Sequence, residues 1–229
     1  MTRALATGLL LSTAAALLGC ASEPLSEPSP QGAPVGAESP DPGAAATDDY
    51  VLTEYPPGPY GFSQGSVIAN LEFKGWHDPV AAGYDPANFE TVRLSDFYDP
   101  SGETTKLILI NASAVWCSVC RAEYQHMRNE GIYATYKPKG VQLIGALFED
   151  NNAGPATPQD LTEWGSLPAF SVEFPMVLDP GFKLGRYFTS DSTPLNLLID
   201  ARTMTIIDAT MGYDPSPTST YWQFVEAWL

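Results

Sequence analysis

Lys106-Leu-Ile-Leu-Ile-Asn111-Ala-Ser-Ala-Val-Trp116-Cys117-Ser-Val-Cys120-Arg-Ala-Glu123 is the stretch on which the fold of this chain turns. Its first six residues form a short continuous apolar run, the pattern of a strand buried on both faces. From residue 117 to 130 the pattern changes to that of a helix, ended by Gly131. Two cysteines separated by two residues therefore stand where a buried strand hands over to a helix. The thiolate is the nucleophile of disulfide exchange, and a helix N-terminus favours it through the macrodipole and unpaired backbone N–H groups. Cys117 falls in the first helical turn and is the expected attacking thiol. Cys120 lies one turn on, on the same face, where it can resolve a mixed disulfide. Arg121 adds positive charge nearby.

Downstream of this junction, strand and helix alternate. Residues 141–148 read as a second buried strand and 158–165 as a helix with proline in its first turn. Residues 175–178 read as a short strand and 182–188 as a short helix. Residues 195–200 and 205–210 flank a turn and form a hairpin, and an amphipathic helix over 220–229 ends the chain. Thr193-Pro194 stands just before the hairpin, where proline at a strand start is permitted. Upstream, residues 50–105 are rich in Tyr, Pro, Gly and Phe, with a strand expected over 66–73 and a second short element over 92–99. The predicted architecture is α/β: a mixed sheet with helices on both faces, preceded by a β extension. In domain terms, residues 106–229 form the core and 50–105 its N-terminal extension.

The first 49 residues carry a different signature. Arg3 precedes an apolar run of 15 residues from 4 to 18, short of the ~20 that a spanning helix needs, so residues 1–19 read as a signal peptide. Leu17-Leu18-Gly19-Cys20 resembles the bacterial lipobox, with Leu at 18 where a small residue is usual. That resemblance implies cleavage before Cys20 and lipid attachment to its sulfur. Residues 21–49 hold six prolines and six acids with no aromatic and no Lys or Arg. Such a stretch cannot bury enough apolar surface to fold. Residues 20–49 are therefore expected to tether the domain to a membrane through the lipid on Cys20, with a reach of about 30 Å. Export exposes thiols to oxidising conditions. The formal net charge of −16 argues against nucleic acid as a partner.

Several chemistries could use a cysteine pair. A structural disulfide between residues three apart closes a very short loop and adds little stability. Zinc usually takes four ligands, and His77 and His126 are the only histidines, neither at a familiar ligand spacing. His126 lies on the helix of the cysteines and is read as a surface or half-buried residue. A copper-handling module would use the two sulfurs as soft ligands. A peroxidase of the peroxiredoxin type would need a Pro-x-x-x-Thr-x-x-Cys pattern. The segment Asn111-Ala-Ser-Ala-Val-Trp-Cys117 has neither its proline nor its threonine.

The motifs in combination resemble the membrane-anchored TlpA/ResA-type thioredoxin-like proteins. The likeness rests on Leu94-Ser95-Asp96, residues 106–111, Trp116-Cys-x-x-Cys-Arg-Ala-Glu123, Phe174-Pro-Met-Val-Leu-Asp-Pro180 and Thr193-Pro-Leu-Asn-Leu-Leu-Ile-Asp200, in that order. It implies a thioredoxin-like fold and a thiol–disulfide oxidoreductase of the bacterial cell envelope that works without a cofactor or metal. Its partners would be protein thiols and disulfides in the periplasm or at the exterior. By the same likeness Pro194 is a cis-proline lying against the cysteine pair, and Trp116, Thr193 and Pro194 contact the substrate. Val119 stands where the family commonly has proline. Asn111 stands where cytosolic thioredoxins bury an aspartate, which leaves Glu149 as the substitute acid.

Overall fold

A computed structural model describes residues 54–189, 192–214 and 220–229. The residues expected to form a signal peptide, a lipidation site at Cys20 and a tether lie outside the described residues.

Seven strands form one mixed sheet: β1 (Glu72–Trp76), β2 (Glu90–Arg93), β3 (Leu107–Ala114), β4 (Val141–Glu149), β5 (Met176–Leu178), β6 (Leu195–Asp200) and β7 (Thr205–Met211), in the spatial order β2-β1-β5-β4-β3-β6-β7. β3, β4 and β5 run parallel, and every other pairing is antiparallel. All eight residues of β3 are buried, which follows from its position between β4 and β6 with both faces covered. The helices are α1 (Ser118–Asn129), α2 (Ile132–Tyr136), α3 (Pro158–Ser166) and α4 (Thr220–Glu226). α1 buries Cys120, Glu123, Tyr124 and Met127, the i, i+3, i+4, i+7 stripe of an amphipathic helix. Tyr124 meets Trp164 of α3 edge-on, and its hydroxyl points at Met176 of β5.

Two expectations are corrected in detail. The strand expected over 66–73 divides into two segments with different partners. Residues 65–68 pair with 204–206 on one side of the sheet, while β1 begins at Glu72 and pairs with β2 and β5. The upstream segment is therefore woven into the sheet by antiparallel pairing of Lys74, Gly75 and Trp76 with Leu178, Val177 and Met176. The short helix expected over 182–188 is a 3-10 turn, Lys183–Tyr187, started at Phe182. Its launch is held by Asp179, whose carboxylate accepts from the backbone N–H groups of Lys183 and Leu184.

Candidate functional site

β3 ends at Ala114, and the chain turns through Val115 and Trp116 into α1. Val115 N–H donates to the Glu149 carbonyl, which carries the β3–β4 pairing one step past the strand. This fixes the start of α1 at the C-terminal edge of the sheet. Cys117 occupies the N-cap itself, one position before the first turn, with extended backbone (φ −78°, ψ 104°). Its sulfur accepts from Cys120 N–H at 3.0 Å, filling the role a Ser or Asp oxygen usually takes. Cys117 and Cys120 are joined in a disulfide.

The Thr193–Pro194 peptide bond is cis, and Pro194 is buried beside the cysteines. Cys117 Sγ lies 3.8 Å from the Thr193 carbonyl oxygen. The Thr193 hydroxyl is within reach of Cys120 Sγ at 3.3 Å and of the Ala112 carbonyl at 3.2 Å. One threonine thus touches both sulfurs and the end of β3. Gly212 N–H donates to the Pro194 carbonyl, which pins this loop to the end of β7.

Around the sulfurs the surface is apolar. Trp116 and Val119 are each 45% exposed, while Cys117 shows only 3% of its surface and Cys120 none. Trp116 Nε1 donates to the Glu149 carboxylate at 2.7 Å, which orients the indole. Arg121, expected to add positive charge, has its guanidinium turned to the Val115 carbonyl and over the Trp164 ring at 5.1 Å.

Glu149 is therefore bound to Trp116 at a half-buried position, and the buried acid of the site is Glu123. Its two oxygens accept from Asn111 Nδ2 at 2.6 Å and Asn196 Nδ2 at 2.9 Å. Asn111 and Asn196 are cross-strand partners on β3 and β6, and the Asn111 amide is oriented in turn by the Ser113 hydroxyl at 2.7 Å. Burial pushes the Glu123 carboxyl up to about 7, against the two amide hydrogen bonds that hold it down. The reading from sequence passed over this residue, although its position three beyond Cys120 puts it on the buried stripe of α1. His77 lies between Glu90 at 3.2 Å and Asp96 at 2.9 Å, and His126 packs its ring against Tyr213. Among the described residues no group of three or more His, Cys, Asp or Glu side chains could hold a metal ion.

Comparison with known proteins gives this geometry a context. The AhpC/TSA family model matches residues 79–212. The thiol-disulfide oxidoreductase ResA of Bacillus cereus is 30% identical over 95 residues, 42% of this chain and 49% of the relative. ResA of Oceanobacillus iheyensis is 36% identical over 59 residues, 26% of this chain and 27% of the relative. The chain thus spans half or less of the length of the curated relatives it matches. A Chlorobium tepidum crystal structure, assigned as thiol:disulfide interchange protein DsbE, superposes with a TM-score of 0.54 at 21% identity, covering 73% of this chain and 99% of that one. This likeness shows a thioredoxin-like fold. The family match runs over more than half of the residues and encloses Cys117, Cys120, Thr193 and Pro194, so the chain belongs to the AhpC/TSA family.

Proposed function

We propose that the chain is an extracytoplasmic thiol–disulfide oxidoreductase that exchanges disulfides with partner proteins through Cys117 and Cys120. The observation that carries this reading is the Cys117–Cys120 disulfide at the N-cap of α1, pressed against Thr193-Pro194 and ringed by exposed Trp116 and Val119. The names of the two ResA relatives agree with it.

In the reducing direction, the Cys117 thiolate attacks one sulfur of a partner disulfide. A Cys117–partner bond forms, the partner's S–S bond breaks, and the leaving sulfur departs as a thiolate that takes a proton. Cys120, deprotonated, then attacks Cys117 Sγ. The intramolecular disulfide forms, the mixed disulfide breaks and the second partner thiol leaves. Two electrons pass to the partner; the oxidising direction is the reverse. Cys117 is assigned the outer role because its sulfur accepts the Cys120 backbone N–H at the positive end of α1, which favours a thiolate there. Trp116, Thr193 and Pro194 form the surface that receives the partner chain. Glu123, three residues beyond Cys120 on the buried stripe of α1, would hold the proton that Cys120 must shed. The lipid on Cys20 and the tether would keep this chemistry at an envelope membrane.

Trapping tests the assignment. Reduced Cys120→Ser protein, mixed with a peptide disulfide, should accumulate a stable mixed disulfide on Cys117, visible as a mass addition that dithiothreitol removes. Cys117→Ser should accumulate none. Adduct formation by Cys117→Ser at the rate of Cys120→Ser would overturn the order of attack. Full exchange activity in both variants would overturn the function.

A further inference from the structure

Between α1, β7 and α4, next to the strand ends that carry the Thr193-Pro194 loop, the fold leaves a cavity of about 690 Å³. That volume is in the range of small-ligand sites. None of the surfaces assigned to partner exchange lines it: Cys117, Cys120, Trp116, Thr193 and Pro194 are all absent from its walls. Its floor is the buried carboxyl of Glu123 beside Asn196, and one wall is the edge strand β7 with Asp208. Opposite stand the aromatic residues of α4, among them Trp222 and Phe224, and the Tyr213 ring packed on His126.

Three properties of these walls converge on one chemical class. Among the described lining residues there are three carboxylates (Glu123, Asp208 and Asp214) and no Lys or Arg. The carboxylates lie at different depths, with Glu123 buried and Asp208 half-buried, so a charge entering the cavity would meet negative potential along its path. Aromatic faces line the same space, and such faces attract cations as well as covering apolar groups. The Tyr213 hydroxyl is also buried with no hydrogen-bond partner, a polar atom for which a ligand would supply one. Anions are excluded by charge. A purely apolar ligand would leave the Asp208 carboxylate desolvated without compensation.

We propose that this cavity binds an organic cation with an apolar body, an ammonium or guanidinium carried on an alkyl or aryl group. The cation lies toward Glu123 and Asp208 and the apolar part against Trp222 and Phe224. The same chemistry is carried by a free amine and by the Lys or Arg side chain of a partner polypeptide. Because Glu123 is both the floor of the cavity and the acid next to the cysteine-bearing turn of α1, a bound cation would favour its ionised form. Binding itself does not depend on the exchange reaction proposed above.

Calorimetric titration of the oxidised protein at pH 8 tests the proposal, using 2-phenylethylamine, its neutral counterpart 2-phenylethanol and an uncharged-end peptide containing one lysine. The amine should saturate a single site and bind at least ten-fold more tightly than the alcohol. Asp208→Asn should weaken amine binding several-fold, and Phe224→Ala should weaken it too, both with the disulfide-exchange rate unchanged. A lysine peptide that binds more tightly than the free amine would assign the site to polypeptide side chains, and the reverse order to small amines. Equal binding of amine and alcohol, no saturable binding of any cation, or cation binding indifferent to Asp208→Asn would each overturn it. Loss of exchange activity in Cys117→Ser with amine binding intact separates this site from the redox reading.

Discussion

Glu123 is a buried acid whose proton is bound to the state of the fold. Asn111 and Asn196 each donate to one of its oxygens, yet burial outweighs both and pushes its carboxyl up to about 7 from an ordinary 4.5. The folded state therefore keeps a proton that the unfolded chain releases, so this residue lowers stability as pH rises from 4.5 to about 7 and has no further effect above. The loss is on the order of 3 kcal/mol across that window. Glu123→Gln, neutral throughout, should lack that fall, so urea unfolding at pH 5 and pH 8 should show the wild type losing stability relative to the variant. Parallel pH dependence in the two proteins would rule out an ionisable group with a raised pKa at this position. Asp179 is also raised by burial, but it is present in both proteins and cancels in the comparison. At this scale the cysteines and Pro194 were legible, because their motif is local or fixed in order along the chain. Glu123 was not, because the two amides that define its surroundings come from strands 85 residues apart in sequence.

β1 is the element that joins the N-terminal segment to the rest of the sheet, and Gly75 is what lets it do so. A Cβ built at Gly75 would lie 2.0 Å from the Met176 carbonyl oxygen and 2.7 Å from Val177 Cα. Both are backbone atoms of β5, so no side chain can move aside to make room. Gly75→Ala must push β1 and β5 apart, at a cost of about 3 kcal/mol by comparison with overpacked cores. Chemical denaturation of this variant should show that loss, and an unchanged midpoint would mean the two strands are not so close. The same pairing explains which elements could be read in advance. β3, β4, the β6–β7 hairpin, α1 and α3 each carry their own periodicity, caps or turn, so their residues announce them. Residues 66–73 read as one strand because no turn residue Gly or Pro interrupts them. Their pairings divide between 204–206 on one side and β2 on the other. Partner choice between distant segments is a tertiary property, and local β-pattern does not encode it. Likewise Gly131 was read as ending α1, but its left-handed backbone at φ +60° also starts α2, a helix too short to register as a period.

Across the whole molecule the dominant property is charge. Residues 50–229 hold twenty-one acids against ten bases, and Arg93, Arg128, Lys139 and Arg202 are already held in ion pairs with carboxylates. Individually such surface pairs contribute little to stability. Together with the unpaired acids they leave a negative field that acts before any contact forms, and that field sorts partners by rate of encounter. The cysteine pair itself is ringed by uncharged groups, so charge selection at this site would operate through the approach and the exposed apolar surface through the final fit. Exchange with a cationic peptide disulfide should therefore be faster than with an anionic peptide of the same length by about ten-fold at ~10 mM salt. The gap should close to within about two-fold above ~0.15 M, where the Debye length falls to ~8 Å. Stopped-flow fluorescence of the reduced protein against the two peptides reads both rates directly. Equal rates at low salt would show that the net charge does not steer partners. A cationic preference that survives high salt would instead mark a desolvated contact, and its loss in Asp208→Asn would place that contact in the cavity between α1, β7 and α4.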